Sequence, residues 1–341
     1  MSRSTRGGFT LIELLVVITI IGMLMALLVP ATNAVRSTMQ RLACENNQRQ
    51  VGMALLQVVN KDANQLFPGY RNVLAPNVNP SNSRVGSWVT VILPGLQQGP
   101  MYQKLRDTTV DPSTWKVPYL EVLVCPSDPP ENTTVPALDY IVNCAKSDDP
   151  AFSYGDKAAN GLFFDRAPLI KSGSAGAPQP IHSTLAKIVD GADNTLMVSE
   201  NVNLVRLLDP TNGWGQTGLQ SDASKVTKST FGFTWYNDDK QSSGGAVSPY
   251  RKINGGRIPD KTLPTPKAYD YARPASNHNG GVNVCFASGR ETWLRDDIAY
   301  YVYQQLMTPD GANADPIATN PVGQKPTAAN TYLLTDGDYR Q

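Results

Sequence analysis

Histidine is almost missing from this chain: His182 and His278 are the two among 341 residues. That leaves little room for a multi-histidine metal cage. Neither sign of charge is in excess, since 30 basic and 29 acidic side chains give a formal net charge of +1. Nucleic-acid surfaces carry a clear basic surplus, so no nucleic-acid partner is expected. The four cysteines, Cys44, Cys125, Cys144 and Cys285, include no C-x-x-C pair, which argues against a zinc ribbon or a thioredoxin-type motif. There is no G-x-S-x-G elbow and no glycine-rich phosphate loop followed by lysine. With so few histidines, few nucleophile triads could be built. These absences point away from an enzyme.

What is present divides the chain in two. From Phe9 to Val29 run 21 residues with a single charge, Glu13. As a helix they would span about 31 Å, the thickness of a bilayer's hydrocarbon core. Behind residue 62, 279 residues remain (341 less 62), enough for one large core or two modest ones. The 27 glycines and 26 prolines suit a loop-rich, strand-leaning body. An even cysteine count behind a membrane segment fits disulfides in an oxidising compartment; four separate buried thiols fit the count equally.

Three readings compete for the N-terminal segment. A secretory signal would have a shorter apolar core, with cleavage after Ala31 or Ala34. A plain anchor accounts for the length but not for Glu13, because acids inside lipid are costly. The third reading cuts the chain between Gly8 and Phe9. The new amine on Phe9 then lies four residues before Glu13, on the same helix face. Glu13 also sits near the positive end of the helix dipole. It can pair with the amine of its own chain or of a neighbour, and such a pair in hydrocarbon favours assembly at a fixed stagger. Arg3 and Arg6 before the span and Arg36 and Arg41 after it make the positive-inside rule only weakly decisive.

The run GGFTLIELLVVITIIGMLMALLVP resembles the leader and first helix of type IV pilins and type II secretion pseudopilins. The resemblance implies a prepilin peptidase as partner, cleavage after Gly8, methylation of Phe9, and Glu13 as the assembly glutamate. It also places Pro30 where such helices carry a kink-forming proline. No turn signal interrupts the sequence before Asn64 and Pro68, so the helix is expected to run to about Lys61. Val35, Met39 and Leu42 form one stripe; Cys44, Val51, Leu55 and Val58 form another on the opposite face. The second should pack on the body, and the first either meets neighbouring subunits or joins the same core.

The body resembles a second family. CENNQRQVGMAL, LFPG, SWVTVILPGLQQGPMYQKL, VLVCPSDP, LAKIVDGADNTLMVSEN and SNHNGGVNVCFASG are similar to blocks of large pilin-like proteins with a domain of unknown function. Their C-terminal signature is a histidine, nine residues, then Asp-Gly. Here His278 is followed by Ser288-Gly289. VNVCF and RETWL flank that dipeptide, so a hairpin turn is expected, with Gly289 supplying the backbone freedom. The resemblance also implies a Cys44–Cys125 bridge from helix to body, and then a Cys144–Cys285 bridge between strands.

Other candidates carry less. His278, in the loop ASNHNGG, suits holding a hairpin entry better than acting as a general base. Asp190, Asp193, Asn194 and Glu200, in the oxygen-rich run DGADNTLMVSE, could take calcium, although the spacing is not that of an EF-hand and a turn feeding a strand explains it as well. Asp336 and Asp338 in TDGDYR offer a similar chance. Trp88, Trp115, Trp214, Trp235 and Trp293 could form a sugar platform, but tryptophan more often enters a core. No cofactor is expected.

The resulting expectation is an α+β, pilin-like fold: a leader over 1–8, a transmembrane helix over 9–31, its continuation over 32–62, and a largely antiparallel, β-rich globular domain over 63–341. Strands are predicted at 138–143, 161–165, 195–199, 230–236, 282–286 and 290–294, with short helices at 87–106 and 296–307. The pilin resemblance implies a single-pass protein of a bacterial inner membrane, its body periplasmic, working as a subunit of a secretion or pilus-like filament beside other pilin-like subunits. A membrane-tethered binding or enzymatic domain that uses the leader only for export is the alternative.

Overall fold

The computed structural model describes residues 10–77, 83–109, 117–134, 136–146, 156–167, 181–202, 214, 217–219, 226–235, 253–255 and 272–314. Helix α1 runs unbroken over Leu11–Lys61, capped by Thr10 and ending at Asp62. Its first half is apolar all round and exposed: Leu11, Met23 and Leu27 are 80, 72 and 67% accessible. A surface of that kind is stable only in lipid or against other apolar helices. Pro30 lies within the helix without ending it, at the cost of the hydrogen bond its missing N–H would have made.

Past Pro30 the helix becomes amphipathic as its sequence predicts. Val35, Met39 and Leu42 stay exposed, whereas Cys44, Val51, Leu55 and Val59 are fully buried. Val58 is only half-buried, so Val59 takes the core position the heptad-like spacing had given to Val58.

Two sheets form the body. The smaller is antiparallel, with β1 (Arg71–Ala75) beside β2 (Arg84–Ser87) and then β5 (Thr217–Leu219). The larger holds β3 (Tyr140–Lys146), β4 (Leu196–Glu200), β6 (Gly232–Trp235), β7 (Gly281–Phe286) and β8 (Glu291–Arg295), in the order β6-β3-β4-β7-β8. The β3–β6 pair is parallel and the rest are antiparallel. Short helices α2 (Trp88–Ile92), α3 (Gly99–Arg106), α4 (Lys228–Phe231) and α5 (Tyr300–Met307) pack against the strands. Trp88, Trp214, Trp235, Tyr140, Phe163, Phe231, Phe233 and Phe286 supply the core's largest side chains.

Departures from the predicted elements have local causes. The 87–106 helix is two helices, because Pro94 lacks an N–H, Gln97 adopts φ 61°, and Gly95 lies so near α1 that a Cβ there would come within 2.9 Å of Ala54. Segment 161–165 forms no strand. Leu162, Phe163 and Phe164 are buried in succession rather than alternating, and Asp165 makes a single bridge to Arg71. The predicted Cys144–Cys285 disulfide is absent. Cys144 lies on β3 and Cys285 on β7, with β4 between them, whereas a bridge needs Cα atoms within about 7 Å.

Candidate functional site

Two places carry chemistry: the start of α1, and a buried polar knot where its second half meets the larger sheet. At the first, Thr10 and Glu13 form a reciprocal capping box. The Thr10 backbone N–H and hydroxyl both donate to Glu13 Oε2, at 2.9 and 2.8 Å, and the Glu13 N–H donates to the Thr10 hydroxyl at 3.3 Å. Two orphan N–H groups of the first turn are thus satisfied without water. Among the described residues Oε1 makes no hydrogen bond, and Glu13 lies at an exposed helix end. Gly8 and Phe9 lie outside the described residues. The sequence reading singled out Glu13 but missed Thr10, although T-x-x-E ahead of an apolar run is the signature of this cap.

The knot is built on one face of α1. Arg41 places its guanidinium 4.3 Å from the centre of the Trp293 ring. One turn on, Cys44 is bonded to Cys125, with a Cα–Cα distance of 4.9 Å. Tyr140 donates to the Cys44 carbonyl at 3.2 Å. Gln48 is fully buried and donates to the Val198 carbonyl at 3.0 Å. Arg49 pairs with Glu291 at 2.8 Å. Gly52 lets the helix touch β7, since a Cβ there would lie 2.7 Å from Cys285 Sγ. Residues 41, 44, 48, 49 and 52 follow the i, i+3, i+4 pattern of one helical face. The chain therefore fixes α1 to the sheet by covalent, ionic and steric contacts within three turns.

Beside the disulfide lie Glu200, His278 and Asp139, all buried. His278 Nε2 is 3.6 Å from Glu200 Oε1 and 3.5 Å from Cys125 Sγ. Asn283 on β7 holds Glu200 through its side-chain amide (2.9 Å, to Oε1) and its backbone N–H (3.2 Å, to Oε2). The Cys125 N–H donates to Asp139 Oδ2 at 2.8 Å. Burial, reinforced by the charges of Asp128 and Glu200, pushes the Asp139 carboxyl well above the usual carboxylate range, although its bond from Cys125 opposes this. A proton on Asp139 spares the interior a buried negative charge. The backbone N–H of His278 donates to the Ser276 hydroxyl, which donates to the Gly281 carbonyl, and the ring meets Trp293 edge-on at 6.3 Å. His278 thus stands at the entry to the β7–β8 hairpin, as its loop context suggested, and also touches the disulfide, which the sequence did not reveal.

The hairpin turn forms as expected. Gly289 has φ +87° and its N–H donates to the Phe286 carbonyl at 2.9 Å. Ser288, standing where the signature has aspartate, hydrogen-bonds through its hydroxyl to Asp193. The calcium candidates already have partners within the protein, and Glu200 is buried in the knot. Asp190 accepts from the Gly311 N–H, Asp193 also faces Arg290 at 3.7 Å, and Asn194 donates to the Asp190 carbonyl. Trp88, Trp214 and Trp235 are buried, each donating its indole N–H to a carbonyl, so they form no exposed platform. Trp293 is half-buried under Arg41. Trp115, Asp336 and Asp338 lie outside the described residues. Cys285 is a buried thiol whose pKa burial pushes up to about 12, which keeps it unreactive at neutral pH.

A long exposed apolar helix fixed by one face to a sheet-rich body defines the pilin-like class of α+β proteins. The model of the prokaryotic N-terminal methylation motif matches residues 3–29. The family described as "Protein of unknown function (DUF1559)" matches residues 33–299, and the chain belongs to that family. It is a type IV pilin-like protein carrying a DUF1559 domain. The chain is also similar to the type IV major fimbrial protein FimA of Dichelobacter nodosus, 34% identical over 85 residues, which are 24% of this chain and 53% of the relative. It thus spans about half the length of the curated relative it matches. No solved structure matches.

Proposed function

We propose that the protein is a non-enzymatic structural subunit of a type II secretion or type IV pilus-like filament. Prepilin peptidase cuts between Gly8 and Phe9 and methylates Phe9, and the body stands on the periplasmic side of the inner membrane. The observation that supports this best is the exposed apolar half of α1 with one carboxylate at its start. In the isolated chain Thr10 satisfies one oxygen of Glu13. A neighbour's N-terminal amine can then take the other, so the acid recognises a partner without being stranded in oil. The stripe of Val35, Met39 and Leu42 continues the same contact beyond the membrane.

Glu13→Ala tests the reading in cells that assemble the filament. Processing is expected to continue while incorporation is lost, and Thr10 and the apolar helix keep the variant in the membrane. Normal incorporation of Glu13→Ala would instead support a tethered domain for which the helix is only an anchor.

A further inference from the structure

Four donors crowd together in the knot. The ligating atoms of Cys44, Cys125, Glu200 and His278 all lie within 4.8 Å of one another, and all four residues are buried. Three of the separations are 3.5 Å (Cys125 Sγ to His278 Nε2), 3.6 Å (His278 Nε2 to Glu200 Oε1) and 3.9 Å (Cys125 Sγ to Glu200 Oε1). With metal–nitrogen and metal–oxygen bonds of about 2.0–2.2 Å and metal–sulfur bonds of about 2.3 Å, the edges of a tetrahedral zinc site are about 3.3–3.8 Å. Two of the three separations fall in that range and the third exceeds it by about 0.1 Å, so one face of such a tetrahedron is nearly formed, with Cys44, bonded to Cys125 until the bridge opens, beside it as the fourth vertex.

We propose that the dithiol form of the protein binds one zinc-class divalent cation through Cys44, Cys125, His278 and Glu200, and that the Cys44–Cys125 disulfide and the metal exclude each other. Two electrons and two protons from an external dithiol convert the disulfide to two thiols and leave that dithiol oxidised as its own disulfide. Metal binding then releases the two thiol protons. On reoxidation an external disulfide takes the two thiolate electrons and two protons from solvent, leaves as its own dithiol, and the re-formed Cys44–Cys125 bond expels the ion, because the remaining His–Glu pair is too few ligands to hold it.

The surroundings suit this use. Asn283 orients Glu200 with two hydrogen bonds, as the groups that hold metal ligands in place do. The Ser127 hydroxyl lies 3.1 Å from Cys125 Sγ, within reach to donate to a thiolate. Among the described residues, the His278 ring lies within ion-pair distance of the fully buried Glu200, so a cation held between them would be ligated by two buried side chains. Two sulfur ligands select zinc or cobalt over calcium or magnesium. The site sits where α1 joins the sheet, so loading would hold the same junction that the disulfide holds in the oxidised protein.

The test uses the full chain in detergent, with Cys144→Ser and Cys285→Ser to remove the other thiols. Reduced with dithiothreitol, stripped of metal and titrated with cobalt(II), it should take up one equivalent. The spectrum should show tetrahedral ligand-field bands and a thiolate-to-cobalt charge-transfer band. A paramagnetically shifted imidazole N–H signal should identify histidine ligation in that same sample, with no need for a further variant. Zinc should displace the cobalt and raise the melting temperature of the reduced chain. The oxidised protein, and the reduced protein with Cys44→Ala and Cys125→Ala, should show neither band. The proposal is overturned by uptake below a tenth of an equivalent, by the same spectrum in the oxidised sample, by absence of the imidazole signal, or by a reduced chain that stays unfolded with zinc present.

Discussion

Replacing both Cys44 and Cys125 with alanine isolates what the bridge contributes to holding α1 on the body. The bonded residues are 81 apart in sequence. In the chain-entropy account, opening a loop of that length returns freedom to the unfolded chain worth about 4.5 kcal/mol at 25 °C. The native side should change little. Gln48 still reaches Val198, Arg49 still reaches Glu291, and Val51, Leu55 and Val59 still fill the core. Alanine leaves no buried hydroxyl to satisfy, so the loss falls mainly on the unfolded state. Against a total stability of about 5–15 kcal/mol the variant should remain folded. At about 2–4 °C per kcal/mol for a large domain, its melting temperature should drop by roughly 9–18 °C. The assay is thermal unfolding of the detergent-solubilised full chain with a chelator present, followed by near-ultraviolet circular dichroism. The double-alanine variant should melt with the reduced wild type, and dithiothreitol should not move the variant further. A loss below about 1 kcal/mol would refute the idea that this bridge constrains the open chain, as would an equal response of the variant to dithiothreitol.

Two further outcomes follow from the knot. Asp139 has a raised carboxyl pKa in the folded state, so the native protein holds a proton that the unfolded chain releases near the ordinary value of 3.8. Stability should fall as pH climbs from there toward the raised folded value and level off above it; in denaturant titrations across that window Asp139→Asn should flatten the slope. Gly52→Ala puts a methyl 2.7 Å from Cys285 Sγ and should cost about 1–3 kcal/mol by overpacking. Adding Cys285→Ala should recover at least half of that loss, a coupling that a double-mutant cycle by chemical denaturation measures directly.

The long helix was the most legible part of the sequence, because its signals are local: an apolar run, one acid, and no turn residues before Asn64. The hairpin at 281–295 was legible for the same reason, with alternating segments on either side of Ser288-Gly289. The smaller sheet was not. RNVLA and RVGS are short, begin with charged residues that become buried, and find each other only through tertiary pairing. The knot was half visible. His278 and Cys125 were singled out separately, and the Cys44–Cys125 bridge came from family resemblance, but nothing local brings a histidine at 278 to a cysteine at 125. Asp139 gave no signal, and Glu200 stood out only as one oxygen among the calcium candidates, since a carboxylate on an apolar strand looks like a strand end until β4 and β7 are paired. The Cys144–Cys285 expectation failed because counting cysteines cannot reveal that a third strand lies between them.

N-terminal and intact-mass spectrometry of the protein recovered from its working assembly tests most directly whether this helix is an assembly element. The account predicts a chain that begins at an N-methylated Phe9, leaving Glu13 four residues from the new amine. A chain that still carries Met1 to Gly8, or one that begins after Ala31 or Ala34 and so lacks the apolar helix, would contradict it.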